Sequence, residues 1–158
     1  MQEVVIGLQF ITPCLGNIRC DDIDRFERDS EGMVIFMSSW WREVLRYGSQ
    51  ALGRHQSMVK RVRMHARIAG AVKQYLRYYT SSQAKTHEAF LPNDTIVVKA
   101  MLPTGMSCED FQEILRLSGE YIGISPYGWK EGYGQFKVLE VSPVSAKPTG
   151  DKRTDPTT

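Results

Sequence analysis

Between Arg61 and Ile68 basic and apolar residues alternate without a break. Arg61, Arg63, His65 and Arg67 are set against Val62, Met64, Ala66 and Ile68. A period of two belongs to an extended strand with one packed and one wet face, whereas a helix would scatter the same charges around its cylinder. The pattern predicts a strand presenting four basic side chains on one face of a sheet, so the fold must contain a half-exposed sheet.

Other segments supply the rest of that sheet. EVVIGLQF (3–10), MVIFM (33–37), TIVVKAML (95–102) and GQFKVLEV (134–141) are short, apolar and rich in β-branched residues, which predicts strands. Two segments have helical spacing. Ser38 or Ser39 is placed to cap a helix with Trp40, Val44 and Tyr47 on one face, stopped at Gly53. Ser107 with Asp110 forms a capping-box variant before Phe111, Ile114, Leu115 and Ser118, with Gly119 as the expected end and EYIGI (120–124) as a strand start. Val72, Tyr75, Leu76 and Tyr79 follow helical spacing in a β-friendly composition, and 80–94 reads as a polar loop. Residues 142–158 have almost nothing to bury and are expected to form a disordered tail. Two helices among four or five strands predict a single α+β domain over 1–141, a ferredoxin-like or RRM-like antiparallel sheet with an insertion.

Charge is where composition matters. The 158-residue chain has a net charge of +2, yet no Asp or Glu occurs from Val44 to His87, a stretch with nine Lys and Arg. The first 31 residues are the reverse, with seven acids against three arginines. A basic block of this length builds local positive potential suited to a polyanion, the alternative being a solvated basic face. No apolar run reaches the roughly 18–20 residues of a membrane span, and the N-terminus lacks the pattern of a signal peptide. Cys14, Cys20 and Cys108 are odd in number and lack metal spacing, which predicts reduced thiols and a cytoplasmic setting without a cofactor.

A second candidate element lies at 123–136, where four glycines fall within twelve residues. Backbone N–H groups in such a loop can cradle phosphate oxygens. Tyr127, Trp129 and Tyr133 can stack on bases, with Lys130 beside them for phosphate and Gly128, Gly132 and Gly134 allowing close approach. The spacing is neither a dinucleotide fingerprint nor a Walker loop. The alternative is a glycine-rich hairpin whose aromatics pack on the core. His55, His65 and His87 stand apart in sequence, without metal-binding spacing. The carboxylates at 21–24 and 109–113 read as solvated caps. Trp40 and Trp41 are adjacent, so one is expected in the core and the other at a partner surface.

Two stretches carry a resemblance. ITPCL (11–15), FERDSEG (26–32) and WWR (40–42) resemble a family of small phage and mobile-element proteins. GEYIGISP (119–126) followed by GYGQF (132–136) is similar to the glycine-rich loop of the RAMP superfamily, the ferredoxin-like RNA-binding proteins of CRISPR systems. The resemblance implies a binding protein that assembles side by side along a strand, with Gly123, Gly128, Gly132 and Gly134 contacting a nucleic-acid backbone, and it implies no catalytic residue.

Together these readings predict a non-enzymatic protein for single-stranded nucleic acid, RNA rather than DNA. Its contacts would be Lys60, Arg61, Arg63, His65 and Arg67 for phosphates, and Tyr127, Trp129 and Tyr133 for bases. The expected partners are that strand and further protein subunits, with no membrane. Two alternatives stand beside it: a metal-independent endoribonuclease using His55, His65 or His87, and a structural adaptor of a phage complex.

Overall fold

The computed structural model describes residues 1–65, 67–69, 74–80, 83–125, 127 and 131–144. The strands are β1 (Gln2–Phe10), β2 (Cys14–Leu15), β3 (Ile18–Cys20), β4 (Ile23–Arg25), β5 (Glu27–Arg28), β6 (Val34–Ile35), β7 (Arg63–Met64), β8 (Gln74–Thr80), β9 (Gln83–Phe90), β10 (Thr95–Leu102) and β11 (Phe136–Pro143). Helix α1 (Ser38–Leu52) precedes β7, and α2 (Cys108–Tyr121) joins β10 to β11.

The main sheet runs β11-β1-β10-β7 and is antiparallel throughout. With α1 between β1 and β7, and α2 between β10 and β11, this is the ferredoxin-like order, an α+β sandwich with two helices on one face. The reason is visible in the strands. Val4, Ile6, Leu8 and Phe10 of β1, and Ile96, Val98, Ala100 and Leu102 of β10, are buried, while their alternate neighbours are half-exposed or exposed. The buried row meets Val44 and Leu45 of α1 and Phe111, Ile114 and Leu115 of α2 in one core. Each large aliphatic or aromatic side chain so buried contributes roughly 1.5–3 kcal/mol. Gly48 lets the helices approach backbone to backbone at Ile114, and the Ser118 hydroxyl donates to the Val44 carbonyl across the same crossing.

The expected insertion is present in two parts. The segment after β1 and the segment between β7 and β10 together build a second sheet, β2-β9-β4-β3, with β8 paired antiparallel to β9. Residues 74–80 are therefore a strand rather than a helix, and 83–90 a strand rather than a loop. Its polar sequence disguised β9, because His87 and Glu88 are buried with partners: His87 Nδ1 lies 2.7 Å from the Gly16 carbonyl, and Glu88 accepts from the Phe26 N–H at 2.8 Å and from Arg28.

Several local expectations also shift. The N-cap of α1 is Met37, not Ser38 or Ser39, and makes no side-chain cap; Gly53 closes the helix at φ 81°. Ser107 caps α2 through the Asp110 N–H as expected. That helix continues past Gly119 to Tyr121, and the residues after it form a turn rather than a strand. Gly119 is instead the place where α2 rests on Phe136. Trp40 and Trp41 are both buried, because the segment leading into α1 wraps its first turn: Phe36 packs on both indoles and Phe26 on Trp40. β11 runs to Pro143, and the Val144 N–H donates to the Glu3 carbonyl, so pairing extends past the expected boundary at 141. The remainder of the expected tail, 145–158, lies outside the described residues.

Candidate nucleic-acid interface

β7 is the outer strand of the main sheet and, among the described strands, pairs with β10. The row of alternate cations is only partly built as expected. Arg61 ends a short 3-10 helix over Met58–Arg61, and regular pairing covers only Arg63–Met64, followed by single bridges at Arg67 and Ala69. Lys60, Arg61, Arg63 and His65 are all exposed. The His65 N–H donates to the Lys99 carbonyl at 2.7 Å, which sets it beside exposed Lys99 of β10. Among the described residues none of Lys60, Arg61, Arg63 and Lys99 has an ion pair. Arg63 Nη1 donates to the Lys60 carbonyl at 3.0 Å, anchoring one side of its guanidinium.

Arg67 leaves this row. Its Nε lies 2.7 Å from Asp29 Oδ2 and its Nη2 2.8 Å from Glu31 Oε1. The acidic turn over 29–32, brought alongside by the Ile35–Arg67 bridge, neutralises it. The expectation of four free cations on one strand face is corrected to a shorter exposed edge, Lys60 to His65, extended sideways by Lys99. Lys99 is not among the contacts expected from the sequence, although the alternation of β10 turns it to the same open face as Thr95, Val97 and Met101.

The glycine-rich segment lies elsewhere. Phe136, which it feeds, is paired with Phe10, next to Gln9 and its partner Thr95, whereas Arg63 pairs with Met101. Six residues of β10 separate the two positions, roughly 20 Å at about 3.3 Å per residue. Among the described residues, the structure therefore does not join the basic edge to the end of the loop that enters β11 in one patch. Gly134 donates its N–H to the Pro13 carbonyl at 2.7 Å, and its carbonyl accepts from Ile124 at 2.8 Å. A Cβ on Gly123 would lie 2.6 Å from the Gly134 carbonyl carbon, and one on Gly134 would strike Ile124. Close chain-to-chain approach accounts for these two glycines. Gly132, at φ 80°, has open space where a Cβ would stand.

Tyr127 and Tyr133 are half-buried and enter a ring cluster with the second sheet. Tyr127 meets His87 edge-on with centroids 5.5 Å apart, and Tyr133 meets Tyr78 at 5.8 Å. Burial, aided by the charges of Asp24 and Glu131, pushes the Tyr127 hydroxyl up from its usual range, and burial with Tyr133 nearby does the same for Tyr78. Gly128, Trp129 and Lys130 lie outside the described residues.

The three histidines occupy three environments. His87 is fully buried, His65 is exposed on the sheet edge, and His55 Nε2 contacts Asp110 Oδ2 at 2.7 Å. Among the described residues no group of three His, Cys, Asp or Glu side chains could hold a metal ion, and no helix is long and apolar enough to cross a membrane.

No protein-family model matches the sequence, and no curated protein matches it. Solved structures do match. A chain of the type III-B Cmr-beta complex bound to cognate target RNA superimposes with a TM-score of 0.64 at 11% identity, over 92% of this chain and 61% of that one. A chain of a type IV-B CRISPR complex superimposes with a TM-score of 0.52 at 12% identity, over 96% of this chain and 95% of the other. This chain shares their fold. It spans about three-fifths of the Cmr-beta chain and nearly all of the type IV-B chain.

Proposed function

We propose that this chain is a non-enzymatic subunit of a CRISPR-like ribonucleoprotein that holds single-stranded nucleic acid, RNA in preference to DNA, along the β7 edge of its main sheet. The observation that carries the reading is the exposed cationic edge, Lys60, Arg61, Arg63 and Lys99 with His65 among them, whose cations have no ion pair among the described residues, on a fold shared with chains of two CRISPR complexes. One of those complexes is bound to RNA. Phosphates meet the exposed edge by charge, and a single strand suits it because the open sheet face beside it can receive splayed bases. Tyr127 and Tyr133 are directed partly into the ring cluster with His87 and Tyr78, so base stacking on them is the secondary part of the reading. Neighbouring subunits along the strand would supply the protein partners.

The test is the salt dependence of binding to a labelled single-stranded RNA. Four phosphate contacts predict a logarithmic slope of about −3, at roughly 0.7 per contact. The double variant Arg61→Gln, Arg63→Gln should reduce its magnitude by about 1.4. Binding indifferent to salt, or a slope that the double variant leaves intact, would remove the reading. Cleavage of the RNA that disappears in any of the variants His55→Ala, His65→Ala or His87→Ala would replace it with the nuclease alternative.

A further inference from the structure

A cavity of about 350 Å³ lies between the start of α1 and the turn that leads into β7. Ser38, Trp41 and Arg42 form its helical wall, and Lys60 and Arg63 stand on the opposite side, with apolar side chains between. No carboxylate lines it. Three independent features of its wall call for an acceptor. The N-terminus of α1 has no side-chain cap and no acid in its first turn, so apart from the Trp40 N–H, which donates to the Met37 carbonyl at 3.0 Å, its leading N–H groups and the positive end of its dipole have no side-chain partner among the described residues. Trp41 is only 3% exposed, yet among the described residues its indole Nε1 has no hydrogen-bond partner, an unfavourable state for a buried donor. Arg42, Lys60 and Arg63 are exposed cations without an ion pair among the described residues, and Arg63 is held in place by its bond to the Lys60 carbonyl.

From this arrangement we infer that the cavity is a phosphate site, in which one phosphate group of the bound strand, internal or terminal, accepts from the Trp41 indole N–H and is neutralised by Arg42, Lys60 and Arg63. The inference rests on the proposed nucleic-acid reading and deepens it: the strand is pinned at one phosphate beside α1 rather than lying loosely on the β7 edge. An indole N–H is a donor with no acceptor capacity, so the site selects an anion over a cation or a neutral donor.

The Trp41 indole N–H resonance reads the site directly. The chain has three tryptophans, and the cross-peak lost in Trp41→Phe identifies it. Should that variant not fold, Trp40→Phe and Trp129→Phe identify it by elimination. Inorganic phosphate, a 5′-hydroxyl oligonucleotide and the same oligonucleotide with a 5′-phosphate are titrated separately against sodium chloride at matched ionic strength. A phosphate-specific shift of this peak is expected, weakened at least tenfold in the double variant Arg42→Gln, Lys60→Gln. Equal shifts with both oligonucleotides assign an internal phosphodiester, and a shift with the phosphorylated one alone assigns a terminal phosphate; either supports an oxyanion site. A peak that stays still with all three, or moves equally with chloride, overturns it. If oligonucleotides bind with the expected salt slope while the peak stays still, the cavity inference alone fails. If inorganic phosphate moves the peak but no oligonucleotide binds, the phosphate site stands and the nucleic-acid reading fails.

Discussion

The second sheet and the β7 edge treat arginine in opposite ways. In the second sheet and along the adjoining β5-β6 pair, the arginines with a described ion pair meet an acid from the N-terminal part of the chain or from β9: Arg19 meets Asp24 at 3.0 Å, Arg28 meets Glu88, and Arg67, bridged to β6, meets Asp29 and Glu31. On the β7 edge Lys60, Arg61 and Arg63 meet none among the described residues. The stretch from Val44 to His87 is free of acids in sequence but not in space, because the acidic segment before α1 folds back over its second half. Local charge counting therefore overestimates the cationic surface at Arg67, whereas Arg61 and Arg63 are exposed without an ion pair among the described residues.

The largest expected effect breaks the paired side of this comparison. Glu88 is buried and accepts from both the Phe26 N–H and Arg28, tying the acidic segment to β9. Removing one partner of a buried pair costs about 3–5 kcal/mol. Arg28 keeps partial access to water, with its side chain 36% exposed, so Glu88→Gln should cost about 2–3 kcal/mol. Urea denaturation of the variant measures it. A loss under about 0.5 kcal/mol would show that the second sheet is held by its apolar contacts alone.

A smaller effect sharpens the comparison within one residue type. Arg63→Gln should reduce the salt slope for single-stranded RNA by about 0.7, the share of one phosphate contact. Arg67→Gln should leave the slope unchanged, since its guanidinium is already engaged by Asp29 and Glu31. Equal slopes in the two variants would erase the distinction between a paired and an open arginine.

What the sequence revealed follows the same division. The ferredoxin-like core was legible because β1, β10 and β11 are short apolar runs rich in β-branched residues, and because Ser107 and Gly53 mark helix ends with their own chemistry. The second sheet was not, since β9 buries His87 and Glu88, whose partners Gly16, Phe26 and Arg28 lie some 60–70 residues away in sequence. No local pattern records a donor that distant. The glycines were legible as conformational devices but not in purpose: Gly123 and Gly134 serve each other's backbone. The tryptophan pair was misjudged for a related reason, since burial of both indoles depends on Phe26 and Phe36 arriving from the insertion.

The smallest effect concerns a pair intermediate between the two regions. Asp110, in the first turn of α2, contacts His55 Nε2 and Arg54. The hydrogen bond from His55, then that from Arg54, holds its carboxyl below the usual carboxylate range. A carboxylate with a depressed folded-state pKa stabilises above its unfolded value, about 3.9, and loses that contribution as pH falls through the folded value. Asp110→Asn should therefore lower the unfolding midpoint at pH 7 and at pH 5 by a similar small amount, with the gap to the unmodified protein closing below about pH 4. Denaturation at pH 7, 5 and 2.5 checks this. A gap that persists unchanged at pH 2.5 would mean that Asp110 acts through its size and its place at the helix start, and that its charge contributes nothing to the pairing with Arg54 and His55.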